Sequence, residues 1–183
     1  MEKNSVKNGS KAKNRTVLAV TAALMTALCC ICAQISFPLP GGVPITLQTL
    51  GMCICGYFLP IVYAEASVAV YVLLGAVGVP VFSNFSGGAS VLVSPTGGFI
   101  FGFFLLVASC SLSNRIKNTF IRIALGFFGI LLCHLLGVIW YSKLTGNGFL
   151  PSFMLVSLPF LIKDFASVVA ACLLCTAVKK RLF

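Results

Sequence analysis

The sequence predicts an all-α membrane protein, a bundle of six transmembrane helices with both termini in the cytoplasm. Of its 183 residues, 59% are hydrophobic and 9% are charged, whereas a soluble domain carries about 25% charged residues. Its apolar segments are close to the roughly 20 residues that cross a bilayer. Short connections rich in glycine, proline or charge separate these segments, which leaves no room for a separate soluble domain.

The basic residues predict the orientation of the bundle. The net charge of +10 comes from clusters beside the apolar segments, a topology signal rather than a nucleic-acid-binding patch. With a cytoplasmic N-terminus, 11 of the 13 lysines and arginines lie on the cytoplasmic side, and only Lys143 and Lys163 do not. The predicted organisation is a basic tail over 1–15, a six-helix transmembrane domain over 16–178 and a second basic tail over 179–183.

The span boundaries follow changes in polarity along the chain. Each span ends at a proline, a glycine-rich stretch or a charged gap, because these residues interrupt apolar helices. The stretch 151–158 is expected to be a loop or a short surface turn. The six expected spans are Thr16–Ser36, Ile45–Leu59, Val62–Val79, Gly97–Leu112, Thr119–Tyr141 and Pro159–Val178.

Three connections share the outer face in this topology, and the one after Val79 is the most unusual. It is rich in glycine, serine and threonine, and irregular backbone of this kind is not stable in lipid. If it folds back over the helix ends, its amides and hydroxyls can line a small-molecule site. The polar start of the second span, which includes Gln48, either contributes to that site or bonds to neighbouring helices.

The first span carries small residues at four-residue intervals: Ala19, Ala23 and Ala27. This spacing flattens one face of a helix and allows another helix to approach closely. It indicates either a docking face for a partner or the general frequency of alanine in helices. The spacing by itself does not separate the two.

Asp164 and its neighbour Lys163 are the main anomaly in the spans. A charged side chain at a helix centre costs about 2.5–3.5 kcal/mol on insertion scales, and less near an end. Both residues are expected about one turn below the outer surface. Neighbours on a helix point about 100° apart, so they are not expected to face each other. A ligand role is favoured for Asp164. For Lys163, a ligand role and a lysine that only extends its ammonium to the membrane surface are equally favoured.

The other reactive side chains give weaker signals. The single histidine, His134, lies within the fifth span and is interpreted as a packing residue rather than a functional one. The nine cysteines lie mostly in apolar segments and are interpreted as buried free thiols, with no metal site. No nucleotide-binding, metalloprotease or serine-hydrolase motif occurs. The chain is therefore expected to be neither an enzyme nor an ATPase.

Three motifs together resemble the BioY family, the biotin-specific substrate-binding components of energy-coupling factor (ECF) transporters. They are VPITLQTL from Val43, LLGAVGVPVF from Leu73 and SPTGGF from Ser94. The resemblance implies a six-helix bundle that binds biotin near its outer face in a bacterial-type cell membrane, with no cofactor. It also implies a transmembrane coupling protein and two cytoplasmic ATPases as partners, with the alanines of the first helix at the coupling protein.

The resemblance also implies site residues. Members of the family usually carry an acid one turn into the last helix, which corresponds to Asp164, and an asparagine after PVF, which corresponds to Asn84. Many continue as GDxxK, but this chain has Lys163 at the glycine position and Ser167 at the lysine position. The role of the lysine has therefore either moved to Lys163 or been lost.

The chemistry of biotin suggests a division of roles. Asp164 would accept a hydrogen bond from a ureido N–H, Asn84 would add a polar contact, and Tyr71 or loop phenylalanines would flank the rings. Lys163 or the loop amides near Gly87 and Gly88 would take the carboxylate. The alternatives are a component for another vitamin on the same scaffold, a small intramembrane enzyme that uses His134, and a channel, which is disfavoured.

Overall fold

The computed structural model describes the backbone of residues 2–39 and 41–182, and the side chains of 14–39 and 41–181. Pro40 of the predicted outer loop, Phe183 of the predicted C-terminal tail and the side chains of the first lysines lie outside the described residues. The fold is almost entirely helical. Its elements are α1 (Glu2–Gln34), β1 (Ser36–Phe37), β2 (Ile45–Thr46), α2 (Gln48–Phe58), α3 (Ile61–Ala76), α4 (Ala89–Leu92), α5 (Gly97–Leu112), α6 (Thr119–Thr145), α7 (Phe149–Val156) and α8 (Leu158–Leu182), with 3₁₀ turns at Ser83–Phe85 and Ser113–Arg115.

Within the described residues, four helices are long and apolar enough to cross a membrane. Their spans are Asn14–Gln34, Gly97–Arg115, Thr119–Thr145 and Leu158–Arg181. Helix α3 is apolar but shorter. Helix α2 has 11 residues, about 16 Å of rise, which is roughly half a hydrocarbon thickness. It is short because Ile45 and Thr46, expected to begin the second span, instead pair antiparallel with Ser36 and Phe37.

Three connecting or terminal segments differ from expectation. The stretch expected to be a loop or surface turn contains helix α7, which ends at Val156 and is followed at once by α8. Helix α1 begins at Glu2, so the expected N-terminal tail continues the first helix. Lys179, Lys180 and Arg181 form the last turn of α8. Basic side chains in a last turn interact favourably with the negative end of the helix dipole, which favours helix over a separate tail.

Helices α5 and α6 approach closely because glycines face each other across their interface. A Cβ atom on Gly102 would lie 2.7 Å from Cys133 Sγ, and one on Gly129 would lie 2.8 Å from the Cβ atom of Ser109. Small residues are the usual means by which membrane helices approach, because hydrocarbon supplies no hydrophobic drive between helices. This close pair forms one wall of the bundle.

Polar contacts tie three helices (α2, α6 and α8) and the 3₁₀ turn after α5 together at the C-terminal end of α2. The hydroxyl of Tyr57 donates to the backbone oxygen of Arg122 at 2.9 Å, and the Arg122 Nη1 atom donates to Thr176 Oγ1 at 2.8 Å. The Lys179 ammonium donates to the Tyr57 backbone oxygen at 2.9 Å and to Asn114 Oδ1 at 3.3 Å. Fully buried apolar side chains, including Met52, lie along the bundle above this end. This end of the bundle is therefore closed.

The glycine interface between α5 and α6 gives a stability prediction. Gly129→Leu forces the helices apart, because there is no space for a side chain, and overpacking of this kind costs about 1–3 kcal/mol. We expect a lower thermal unfolding midpoint in detergent. The matched control is Ala124→Leu, at an exposed position of the same helix. Equal midpoints for the two variants would contradict the close approach.

Candidate ligand chamber

A chamber opens between the start of α2 and helices α5, α6 and α8, at the end opposite the polar contacts of Tyr57. It holds about 640 Å³ of space between the protein atoms, a volume that includes solvent at its opening. Much of its wall is apolar, with phenylalanine rings from two helices and the loop after α3. The polar lining residues are Thr46, Gln48, Thr49, Ser83, Thr96, His134, Lys163 and Asp164, and the aromatic ones are Phe82, Phe99, Phe103 and Phe160.

Asp164 is the buried acid of the chamber. It lies in the second turn of α8, and only 4% of its surface is exposed. Its Oδ2 atom is 3.0 Å from His134 Nε2. Its Oδ1 atom is 2.5 Å from the Lys163 ammonium but has no hydrogen bond of acceptable geometry among the described residues. One carboxylate oxygen is thus held by the protein, while the other retains accepting capacity.

Lys163 faces its sequence neighbour, against the expectation that the two side chains diverge. Its long stem bends so that the ammonium lies between Asp164 and the start of α2. There it donates to the Thr46 backbone oxygen at 2.6 Å and lies 3.5 Å from Thr49 Oγ1. The ammonium therefore links α8 to α2 and does not snorkel toward the surface. The expectation that the two side chains point about 100° apart was wrong, because the flexible four-carbon stem of the lysine can cover that angle.

His134 was missed as a site residue by sequence reasoning. It is hydrogen-bonded, as expected for a packing residue, but its partners place it in the chamber wall. Its Nε2 atom lies 3.0 Å from Asp164 Oδ2, and its Nδ1 atom lies 2.9 Å from Ser157 Oγ. The contact with Asp164 spans 30 residues and two helices. The one available signal was that ionisable groups within spans are functional candidates by default.

Gln48 lines the chamber, and Tyr71 supports it from behind. The Gln48 side-chain amide donates to the Tyr71 hydroxyl, and its Oε1 atom lies 3.4 Å from Thr46 Oγ1. Tyr71 is fully buried and does not line the chamber. Its ring packs edge-to-face on the Phe82 ring, with centroids 5.4 Å apart. Tyr71 therefore orients two lining residues without contacting the empty space.

Asn84 lies in a second, outer cavity, here called the vestibule. Asn84 and Phe85 have φ values of 57° and 55°, and this left-handed backbone turns the asparagine away from the chamber, where its Oδ1 atom accepts from Ser36 Oγ at 2.5 Å. The structure therefore does not bring Asn84 into the wall that contains Asp164. The vestibule is lined by Gly42, Pro44, Ser83, Asn84, Ser86, Ser90, Val91, Ser94, Pro95 and Thr96.

The remaining expected ligand residues lie outside the chamber wall. The Gly88 amide already donates to the Gly75 backbone oxygen at 2.7 Å, so it is not free for a ligand. A Cβ atom on Gly87 would lie 2.6 Å from the Val79 backbone oxygen, which makes this glycine a packing position. The Ser167 hydroxyl donates to the Lys163 backbone oxygen at 2.9 Å. It does not replace the missing lysine of the GDxxK pattern.

The alanines of α1 lie on an outward face of the bundle. Ala19, Ala23 and Ala27 are exposed, whereas Ala22 is buried against neighbouring helices. Large apolar side chains beside them, such as Val20 and Leu24, are also exposed. The stripe is therefore available to lipid or to another membrane protein.

Together, the fold and the chamber define a helical membrane protein with an open chamber near one end of the bundle, whose wall combines apolar rings with a cluster of polar side chains. The model of the BioY family matches residues 3–183, and the chain belongs to this family. The match confirms the resemblance carried by the three sequence motifs.

Individual relatives agree with this assignment. The chain is 39% identical over 169 residues to the biotin transporter BioY of Thermotoga maritima, covering 88% of this chain and 95% of that protein. It is 36% identical over 149 residues to a probable biotin transporter BioY of Pyrococcus horikoshii, covering 81% and 88%. It also resembles the crystal structure of an S-component for biotin from an ECF-type ABC transporter, with a TM-score of 0.83, 25% identity and coverage of 91% and 93%.

The buried pair of Gln48 and Tyr71 gives a second stability prediction. Tyr71→Phe removes the acceptor of the Gln48 amide, and an unpaired buried donor costs about 1–3 kcal/mol. We expect a lower unfolding midpoint than for Tyr63→Phe, the matched control on the same helix. The Tyr63 hydroxyl has no hydrogen-bond partner within the described part of the chain. Equal midpoints would show that the Gln48 amide does not depend on Tyr71.

Proposed function

We propose that this chain captures biotin as the membrane-embedded substrate-binding component of an ECF transporter. Its relatives are biotin transporters, and its structural neighbour is an S-component for biotin. The observation that carries the proposal is the buried carboxylate of Asp164 in the chamber wall, whose Oδ1 atom accepts no hydrogen bond within the described residues. Biotin is the transported cargo, and the chemistry requires no cofactor.

The chamber matches the donors and acceptors of the biotin ureido ring. The Oδ1 atom of Asp164, which is paired with the Lys163 ammonium, accepts a ureido N–H through a remaining lone pair, and the same ammonium donates to the ureido oxygen. Gln48 and Thr49 offer further polar contacts, while the aromatic lining residues pack against the thioether ring. Because Lys163 lies beside Asp164, it serves the ureido end rather than the carboxylate. Asn84 contacts the acyl arm in the vestibule.

The chain spans the cell membrane six times, with both termini in the cytoplasm, and 16–178 forms the substrate-binding domain. The basic clusters support this orientation through the positive-inside rule. Helices α2 and α3 complete the six spans together with the four longer helices. The short strands β1 and β2 precede α2, and Thr46 of β2 lines the chamber. The chamber then opens outward, and the end closed by Tyr57 and Arg122 faces the cytoplasm.

Energy for uptake comes from other subunits, because the sequence contains no nucleotide-binding motif. The partners are a transmembrane coupling protein and two cytoplasmic ATPases. Their docking face on this chain is the exposed stripe of Ala19, Ala23 and Ala27, whose small side chains allow close helix contact.

Two other functions fit the data less well. A component for another vitamin would use the same scaffold, but the relatives are named for biotin. An enzyme would use the chain of contacts from Ser157 through His134 to Asp164, which resembles a serine-hydrolase triad. Ser157 is fully buried, however, and does not line the chamber, so a substrate there does not reach its hydroxyl. The chain is a transporter component and not an enzyme.

Replacing the buried acid tests the proposed site. Asp164→Asn removes the charge that accepts the ureido N–H, and a hydrogen bond to a charged group is worth about 1.5–3 kcal/mol. We expect the affinity of the purified protein for tritiated biotin to fall by at least tenfold. Excess riboflavin, thiamine or lipoate should not displace biotin from the wild-type protein.

The control for this test is Glu65→Gln, because Glu65 is an acid within α3 and does not line the chamber. It should bind biotin as the wild type does. Unchanged affinity in Asp164→Asn would remove Asp164 from the site, whereas displacement by another vitamin would redirect the proposal to that ligand.

The docking stripe gives a separate prediction. Ala23→Phe places a ring on the flat face and should block the approach of the coupling protein. We expect biotin uptake by cells that contain the energising subunits to fall at least tenfold, while binding to the purified chain stays unchanged. Leu24→Phe, at an exposed position about 100° away from Ala23, is the control and should retain uptake. Normal uptake by Ala23→Phe would exclude the stripe as the docking face.

A further inference from the structure

The vestibule is the outer continuation of the chamber. The two cavities share Pro44, Ser83, Val91 and Thr96 in their walls. A ligand whose ring system occupies the chamber therefore extends any substituent through the vestibule. For biotin, whose ureido ring is matched by Asp164 and Lys163, that substituent is the acyl arm.

The two cavities differ in charge. The chamber contains Lys163, Asp164 and His134. The vestibule wall, within the described residues, contains only neutral side chains and no lysine, arginine or histidine. The Lys163 ammonium is already engaged by the Thr46 backbone oxygen at 2.6 Å and by Asp164. A carboxylate in the vestibule therefore has no cationic side chain among the described wall residues with which to form an ion pair.

The vestibule nevertheless has neutral hydrogen-bond donors available. The Nδ2 group of Asn84 and the hydroxyls of Ser83 and Ser90 have no hydrogen-bond partner among the described residues. Such donors bind the oxygen of a carboxylate, an ester or an amide alike. They lack the additional strength that a cation gives to a carboxylate contact.

This inference rests on the proposed function: we propose that the site also takes biotin amides, such as biotinyl-lysine, with affinities similar to that of free biotin. The fused rings occupy the chamber, the acyl oxygen accepts hydrogen bonds in the vestibule, and the amine part of the amide extends into solvent. Loss of the carboxylate charge costs little, because it leaves no buried cation unpaired.

The test measures displacement of tritiated biotin from the purified full-length chain by biotin, biotinamide and biotinyl-lysine. The proposal predicts that both amides bind within tenfold of biotin. A loss of more than tenfold for the amides, with biotin itself tightly bound, overturns this inference and leaves the proposed function intact. If biotin does not bind at all, the proposed function fails and this inference fails with it.

A variant that adds the missing cation tests the location of the acyl group. Ser90→Lys places an ammonium at an exposed position of the vestibule wall. It should raise the preference for biotin over biotinamide at least threefold, because only the acid gains an ion pair. Ser90→Gln, of similar size and neutral, should leave the preference unchanged. An unchanged preference in Ser90→Lys, or an equal change in Ser90→Gln, overturns the placement of the acyl group in the vestibule.

Discussion

A carboxylate buried in an apolar helix bundle is the constraint on which the site depends. An ionised group in such a place is tolerated only with close partners. Asp164 has two of them, the Lys163 ammonium at 2.5 Å and His134 Nε2 at 3.0 Å. Each partner is held in turn, Lys163 by the start of α2 and His134 by Ser157. The stabilisation of one charge therefore fixes the relative positions of α2, α6 and α8 around the chamber.

The two ends of the bundle differ in that one is closed by polar contacts and packing, whereas the other is open above the chamber. At one end, hydrogen bonds of Tyr57, Arg122 and Lys179 join three helices, and buried apolar side chains fill the bundle beside them. At the other end, short strands, a left-handed turn and loops leave an opening over the chamber. The chamber is therefore open at one end of the bundle and closed toward the other.

The sequence identified some site residues and missed others for a physical reason. Asp164 was visible because the cost of a charge within an apolar span is a local property of the sequence. The role of His134 depends on contacts 23 and 30 residues away, which no spacing reveals. The Lys163 ammonium donates to the backbone oxygen of Thr46, which is 117 residues away in the sequence. Asn84 follows the expected motif, but two consecutive left-handed residues set the direction of its side chain.

The sequence by itself determined the membrane class, the approximate positions of the long helices and membership of the BioY family, because hydropathy, basic clusters and the three motifs are linear properties of the chain. Only the tertiary structure decided that Ile45 and Thr46 form a strand, that α7 is a helix, and that the ligand space divides into a charged chamber and a neutral vestibule. These features depend on hydrogen bonds between distant segments, and such bonds form only when the helices are packed together.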